Sequence, residues 1–119
     1  MTQRDTICIM ADFGMGPYAW RRPADQVPPY VGGNIADAVA GFPEDMGVPK
    51  ELETEFAEWV TLFERDYDQE GFDWDAWNKR GLELTRKLKD FLGDAYAVEY
   101  HYPVECPHIP ERGKWVVIG

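Results

Sequence analysis

The 119-residue sequence predicts one α+β domain, and three observations carry that expectation. Residues 6–13 (TICIMADF) form a β-rich run that is apolar on both alternating sets. Residues 49–93 hold two stretches whose apolar side chains recur at the helical repeat. Residues 95–102 and 114–118 return to strand-like alternation. The chain is 45% hydrophobic and 14% aromatic with five tryptophans, which suffices for one core and is too apolar for a disordered acidic tail. The expected architecture is a single two-layer domain over residues 1–119. It has a small mixed sheet of about three strands, an antiparallel two-helix hairpin on one face, and the order β-loop-α-α-β-β.

The elements follow in order. In the first strand Ile7, Ile9, Ala11 and Phe13 alternate with Cys8 and Met10, and two apolar faces imply a central strand covered on both sides. From residue 14 to 48 the periodicity is lost under frequent glycine and proline. A short helical turn is expected around residues 34–40. Two readings stand for this long segment: a wrap that pins Tyr18, Trp20, Tyr30 and Phe42 over the open sheet face, or a binding loop.

Pro49 opens the first helix, in which Leu52, Phe56, Trp59, Val60, Phe63 and Tyr67 share one arc. Asp73 is suited to cap the second, where Trp74, Trp77, Gly81, Leu84, Thr85, Leu88, Phe91 and Leu92 share a face and Gly93 ends the run. Gly81 interrupts the apolar arc, at a cost of roughly 1 kcal/mol of helix propensity. Close approach of another backbone is the expected reason. If the strands at 6–13 and 95–102 are parallel neighbours, the helical hairpin forms their crossover.

Charge narrows the function. Of the net −10, all is located between residues 44 and 75, where twelve acids face only Lys50 and Arg65; the rest of the chain is balanced. Such a field repels nucleic acid and anionic membrane and speeds encounter with a basic protein. The opening residues are polar and the run at 7–11 is too short for a signal peptide, while a spanning helix needs roughly 20 apolar residues. A cytoplasmic protein is the expectation. Two cysteines, Cys8 and Cys106, make no disulfide framework and read as reduced thiols.

Most chemical motifs fall away. Asp12-Phe13-Gly14 matches the kinase magnesium motif, but no other kinase signature accompanies it. Gly14-Met15-Gly16 lacks the third glycine and adjoining helix of a dinucleotide loop. His101, Cys106 and His108 have ligand chemistry suited to zinc, or to a thiolate with a histidine base, at a spacing that matches no established site. Surface residues on a proline-rich loop are the plainer reading. No cofactor is expected.

The first helix offers a different kind of site. Opposite its apolar arc lie Glu51, Glu55, Glu58 and Asp66, with Leu62 among them. Glu58 stands four residues before Leu62 and Asp66 four after, so the three are surface neighbours. An apolar residue ringed by acids suits a basic, partly apolar partner. Alternatively Leu62 packs beneath the 14–48 segment and the acids are simply solvated.

Residues 9–20 (IMADFGMGPYAW) and 72–93 (FDWDAWNKRGLELTRKLKDFLG) resemble a group of small uncharacterised acidic bacterial proteins. Asp12, Phe13, Gly14, Pro17 and Trp20 match its opening, and Gly81, Leu84 and Leu88 match its late G-x-x-L-x-x-x-L helix. The middle of this chain is longer in loops than that pattern. The resemblance implies a bacterial protein of shared fold and no catalytic residues. By size and charge alone the chain is also similar to immunity partners of bacterial toxins. The leading expectation is therefore a protein-binding module, of immunity type, that masks a basic partner such as a toxin through Glu51, Glu55, Glu58, Leu62 and Asp66. The alternatives are a small metal- or thiol-dependent enzyme built on His101, Cys106 and His108, and a structural or oligomeric accessory protein.

Overall fold

The computed structural model describes residues 4–26, 32–106 and 110–119. It is α+β, with two helices packed on a mixed sheet of five strands: β1 (Thr6–Ile9), β2 (Pro17–Arg22), β3 (Gly33–Asp37), β4 (Ala97–His101) and β5 (Trp115–Ile118), in the spatial order β3-β2-β1-β4-β5. The helices α1 (Lys50–Asp66) and α2 (Trp74–Leu92) come between β3 and β4. The expected three-stranded sheet and its β-loop-α-α-β-β order are thus corrected: two further strands occupy the segment read as a wrap or loop. Tyr30 lies outside the described residues.

β1 is central, as its two apolar faces require, and all four of its residues are buried. It runs parallel to β4, with Ile7 opposite Val98 and Ile9 opposite Tyr100, so the helical pair lies in the connection between parallel neighbours. It runs antiparallel to β2, with Cys8 opposite Trp20. A tight turn joins β1 to β2, in which Gly14, Met15 and Gly16 all adopt left-handed backbone with φ of 85°, 61° and 64°.

The two missed strands are masked for physical reasons. In β2 the pairing with β3 shifts around Ala19, and Tyr18 and Ala19, adjacent in sequence, are both fully buried. A bulge of this kind erases the period-two pattern that marks a strand. β3 is an edge strand that opens with Gly33 and Asn34, both poor strand formers. Asn34 offsets this by donating its side-chain amide to the carbonyls of Ala19 at 3.0 Å and Ala36 at 2.9 Å. The helical turn expected at 34–40 is instead the end of β3 followed by a turn. There Asp37 Oδ1 accepts from the backbone N–H groups of Val39 and Ala40 at 2.9 and 2.8 Å.

Pro49 occupies the N-cap of α1 rather than its first turn, and Glu51 and Glu53 sit where the helix dipole favours acids. Asp73 caps α2 by accepting from Ala76 N at 3.0 Å. The core between helices and sheet is aromatic. Tyr18 stacks on Phe56 with ring centroids 5.0 Å apart, and Trp59 stacks on Trp77 at 4.3 Å. The two tryptophans also exchange hydrogen bonds: Trp59 Nε1 donates to Trp77 O at 3.0 Å and Trp77 Nε1 to Trp59 O at 2.8 Å. Burying each such side chain contributes roughly 1.5–3 kcal/mol, against about 0–1 for an exposed ion pair, so this stack dominates helix docking.

Gly81 marks the tightest point. A Cβ there would stand 2.6 Å from Tyr100 Cε1 and 2.7 Å from Trp59 Cζ2. The close approach is of aromatic side chains, not of a second backbone. On the opposite face of the sheet Cys8 is buried beside a paired charge: Arg22 Nη2 donates to Glu99 Oε1 at 2.7 Å, with Arg22 Nη1 3.7 Å from Cys8 Sγ. Burial pushes the Cys8 thiol up to about 11, consistent with a structural thiol.

Candidate partner-binding face

α1 buries Leu52, Phe56, Trp59, Val60 and Phe63, which turns the opposite stripe outward. Along that stripe Glu51, Glu58 and Leu62 are exposed, whereas Glu55 and Asp66 are half-buried. Leu62 is 41% exposed, so the described residues before α1 leave it open to solvent.

The acids of α1 divide by what they touch. On the flank toward β2 and β3, Glu53 accepts from Phe42 N at 2.5 Å and Glu64 accepts from Gly16 N at 2.9 Å. These carboxylates fasten the turns to the helix, and sequence position alone does not distinguish them from solvated acids. The Gly14–Met15–Gly16 turn therefore offers an N–H to the chain's own carboxylate. On the flank toward α2, Glu55 accepts from Arg80 at 2.5 Å and Lys87 at 3.2 Å. Burial raises the Glu55 carboxyl, but Lys87 and Arg80 together outweigh it and hold the group below its ordinary range. Asp66 is bound by the Arg65 guanidinium at 2.9 and 2.7 Å, which lowers its pKa. Among the described residues Glu51 and Glu58 make no ion pair.

Two grooves run beside this stripe. One, of about 650 Å³, lies between α1 and the turn after β3, with Val39, Lys50, Thr54 and Arg65 along it. The other, of about 320 Å³, lies between the helices and is lined by Trp59, Phe72, Asp73, Ala76 and Arg80. Glu58 and Leu62 border both, so they form the ridge between them. The inter-helix groove is not apparent from the stripe itself; the aromatic pair Trp59 and Phe72 either side of the helix turn is its only sequence trace.

Of the residues considered for metal or thiol chemistry, His101 and Cys106 lie on opposite sides of β4. His101 packs its ring on Trp115, with centroids 4.4 Å apart, on the Glu99 side of β4. Cys106 lies on the Tyr100 side, where Asn78 Nδ2 donates to its sulfur at 3.4 Å and Tyr100 OH donates to Asn78 Oδ1 at 2.6 Å. Burial raises the Cys106 thiol, the direction opposite to thiolate activation. His108 lies outside the described residues. Among the described residues no three His, Cys, Asp or Glu side chains are grouped to hold a metal ion.

No helix among the described residues is long and apolar enough to cross a membrane. Searches against curated proteins and against solved structures gave no match. The family described as Serratia CdiI immunity protein-like matches residues 5–103, which takes in every strand except β5, both helices and the whole ridge of α1. On that match, the chain belongs to the Serratia CdiI immunity protein-like family.

Proposed function

We propose that the protein is an immunity-type inhibitor acting in the cytoplasm, which binds a basic toxin and masks it with the outward face of α1. The observation that carries this reading is the exposed ridge of Glu58 and Leu62 between two grooves, with exposed Glu51 two helical turns before Glu58; among the described residues neither acid makes an ion pair. Acids already engaged inside the fold cannot be offered to a partner without cost; Glu51 and Glu58 can. Family membership supports a protein partner, and the segregated negative field supports a basic one.

The test uses the partner recovered with the tagged chain at low salt and released at high salt. The double variant Glu51→Lys/Glu58→Lys should weaken the purified complex by about a hundredfold or more, as removal of close interfacial charge pairs does. Reversing Lys79 and Arg86 on α2 should leave affinity within a fewfold. Equal losses from both variants, or none from the α1 variant, contradict the assignment. Including Glu55 or Asp66 would confound the result, because each already pairs within the chain.

A further inference from the structure

Resting on that reading of α1, we infer that the groove between α1 and α2 receives one arginine side chain of the protein partner, its guanidinium on Glu58 and its stem along Leu62 and Phe72.

The groove is more apolar than polar in its lining, and Glu55, Glu58 and Asp73 are the acids along it. At Glu55 the groove already holds this chemistry. The chain's own Arg80 reaches across from α2 and sets its guanidinium 2.5 Å from Glu55, with Lys87 Nζ 3.2 Å from the same oxygen. One helical turn further along α1, Glu58 borders the same groove and has no cation among the described residues. Asp73 lines the same groove, with one oxygen engaged by Ala76 N and no ion pair among the described residues. A guanidinium entering from outside meets in Glu58 a carboxylate on the same groove as the one that holds Arg80, beside apolar surface that suits the methylene stem. An apolar side chain would fill the same volume but leave Glu58 desolvated without a partner, which is unfavourable. Lysine is the weaker occupant, because its point charge cannot pair with the Glu58 carboxylate through a planar two-donor fork.

The first test is an NMR titration of the full chain with N-acetyl-arginine methylamide, and with the citrulline and norleucine analogues as neutral controls. Saturable shifts should centre on Glu58, Leu62, Phe72 and Ala76, be absent or at least several-fold weaker with citrulline and norleucine, and weaken in Glu58→Gln about tenfold, as loss of a charged hydrogen bond implies. Equal response to citrulline or norleucine, shifts spread over all the acids, or an unchanged Glu58→Gln titration would overturn the inference. The second test measures the captured partner's affinity for Ala76→Phe, which fills the groove from an exposed position without changing charge. A loss of tenfold or more supports the inference. If Glu51→Lys/Glu58→Lys weakens the complex while Ala76→Phe does not, the groove assignment fails and the α1 face stands. If neither variant weakens it, the α1 reading itself fails.

Discussion

α1 and α2 contribute to the core almost as mirror images and face solvent with opposite charge. Each supplies one tryptophan to a stacked pair, and each tryptophan donates to the other's backbone carbonyl. Outside that seam, α1 carries six acids against two bases, while α2 carries three acids against five bases. α2's excess is partly directed inward, through Arg80 and Lys87 onto Glu55. The difference separates two demands. Docking is met by shared aromatic burial, which leaves the outward stripe of α1 free to be specialised: Glu55 and Asp66 are paired within the chain, while among the described residues Glu51 and Glu58 make no ion pair.

The largest effect should test the symmetry of the seam. Trp59→Ala and Trp77→Ala should each cost about 3–5 kcal/mol in denaturant unfolding, as large-to-small changes of buried aromatics do. Values that differ by more than about half would break the claim that the helices contribute equally. A smaller effect probes where the symmetry ends. Gly81→Ala gains helix propensity of roughly 1 kcal/mol. The new methyl group meets the buried rings of Tyr100 and Trp59, so a net loss of about 1–3 kcal/mol is expected from overpacking. A stabilised variant would show that those rings can shift.

The smallest effect concerns the charge contact between the helices. Glu55→Gln should cost under about 1 kcal/mol, because the site is only partly shielded from water. Its pH signature is sharper than its size. The folded carboxyl lies below its ordinary 4.5, so its contribution is complete above that value and is lost as pH falls through the depressed one. Unfolding curves of the variant should therefore decline less steeply than wild type below pH 4.5, and parallel curves would contradict the assigned pairing.

Where local chemistry agrees with the fold, the elements are readable from the chain. β1 is apolar on both sides and central; Asp73 caps α2; the arcs of Phe56, Trp59 and Trp77 point inward. Phe91, placed on the same arc, emerges 45% exposed near the C-terminal end of α2. β2 and β3 escape because a bulge hides the alternation of one and glycine with asparagine weakens the other. The outward stripe of α1 is equally readable, since it is the complement of the apolar arc. What periodicity cannot give is which carboxylate is already engaged. Glu53, Glu55 and Glu64 find partners 11, 25 and 48 residues away. Only the tertiary structure brings those groups together. The pleat of β4 likewise separates His101 from the Tyr100 side where Cys106 lies, although only four residues of sequence lie between the two.

The central claim, that the outward ridge of α1 is covered by the partner, is tested most directly by carboxyl footprinting of the free chain and the complex. Carbodiimide coupling followed by mass spectrometry reads each acid separately. Glu51 and Glu58 should be strongly protected in the complex, with Asp75 and Asp90 of α2 labelled as in the free chain. Protection of the α2 acids with Glu51 and Glu58 unchanged would contradict it.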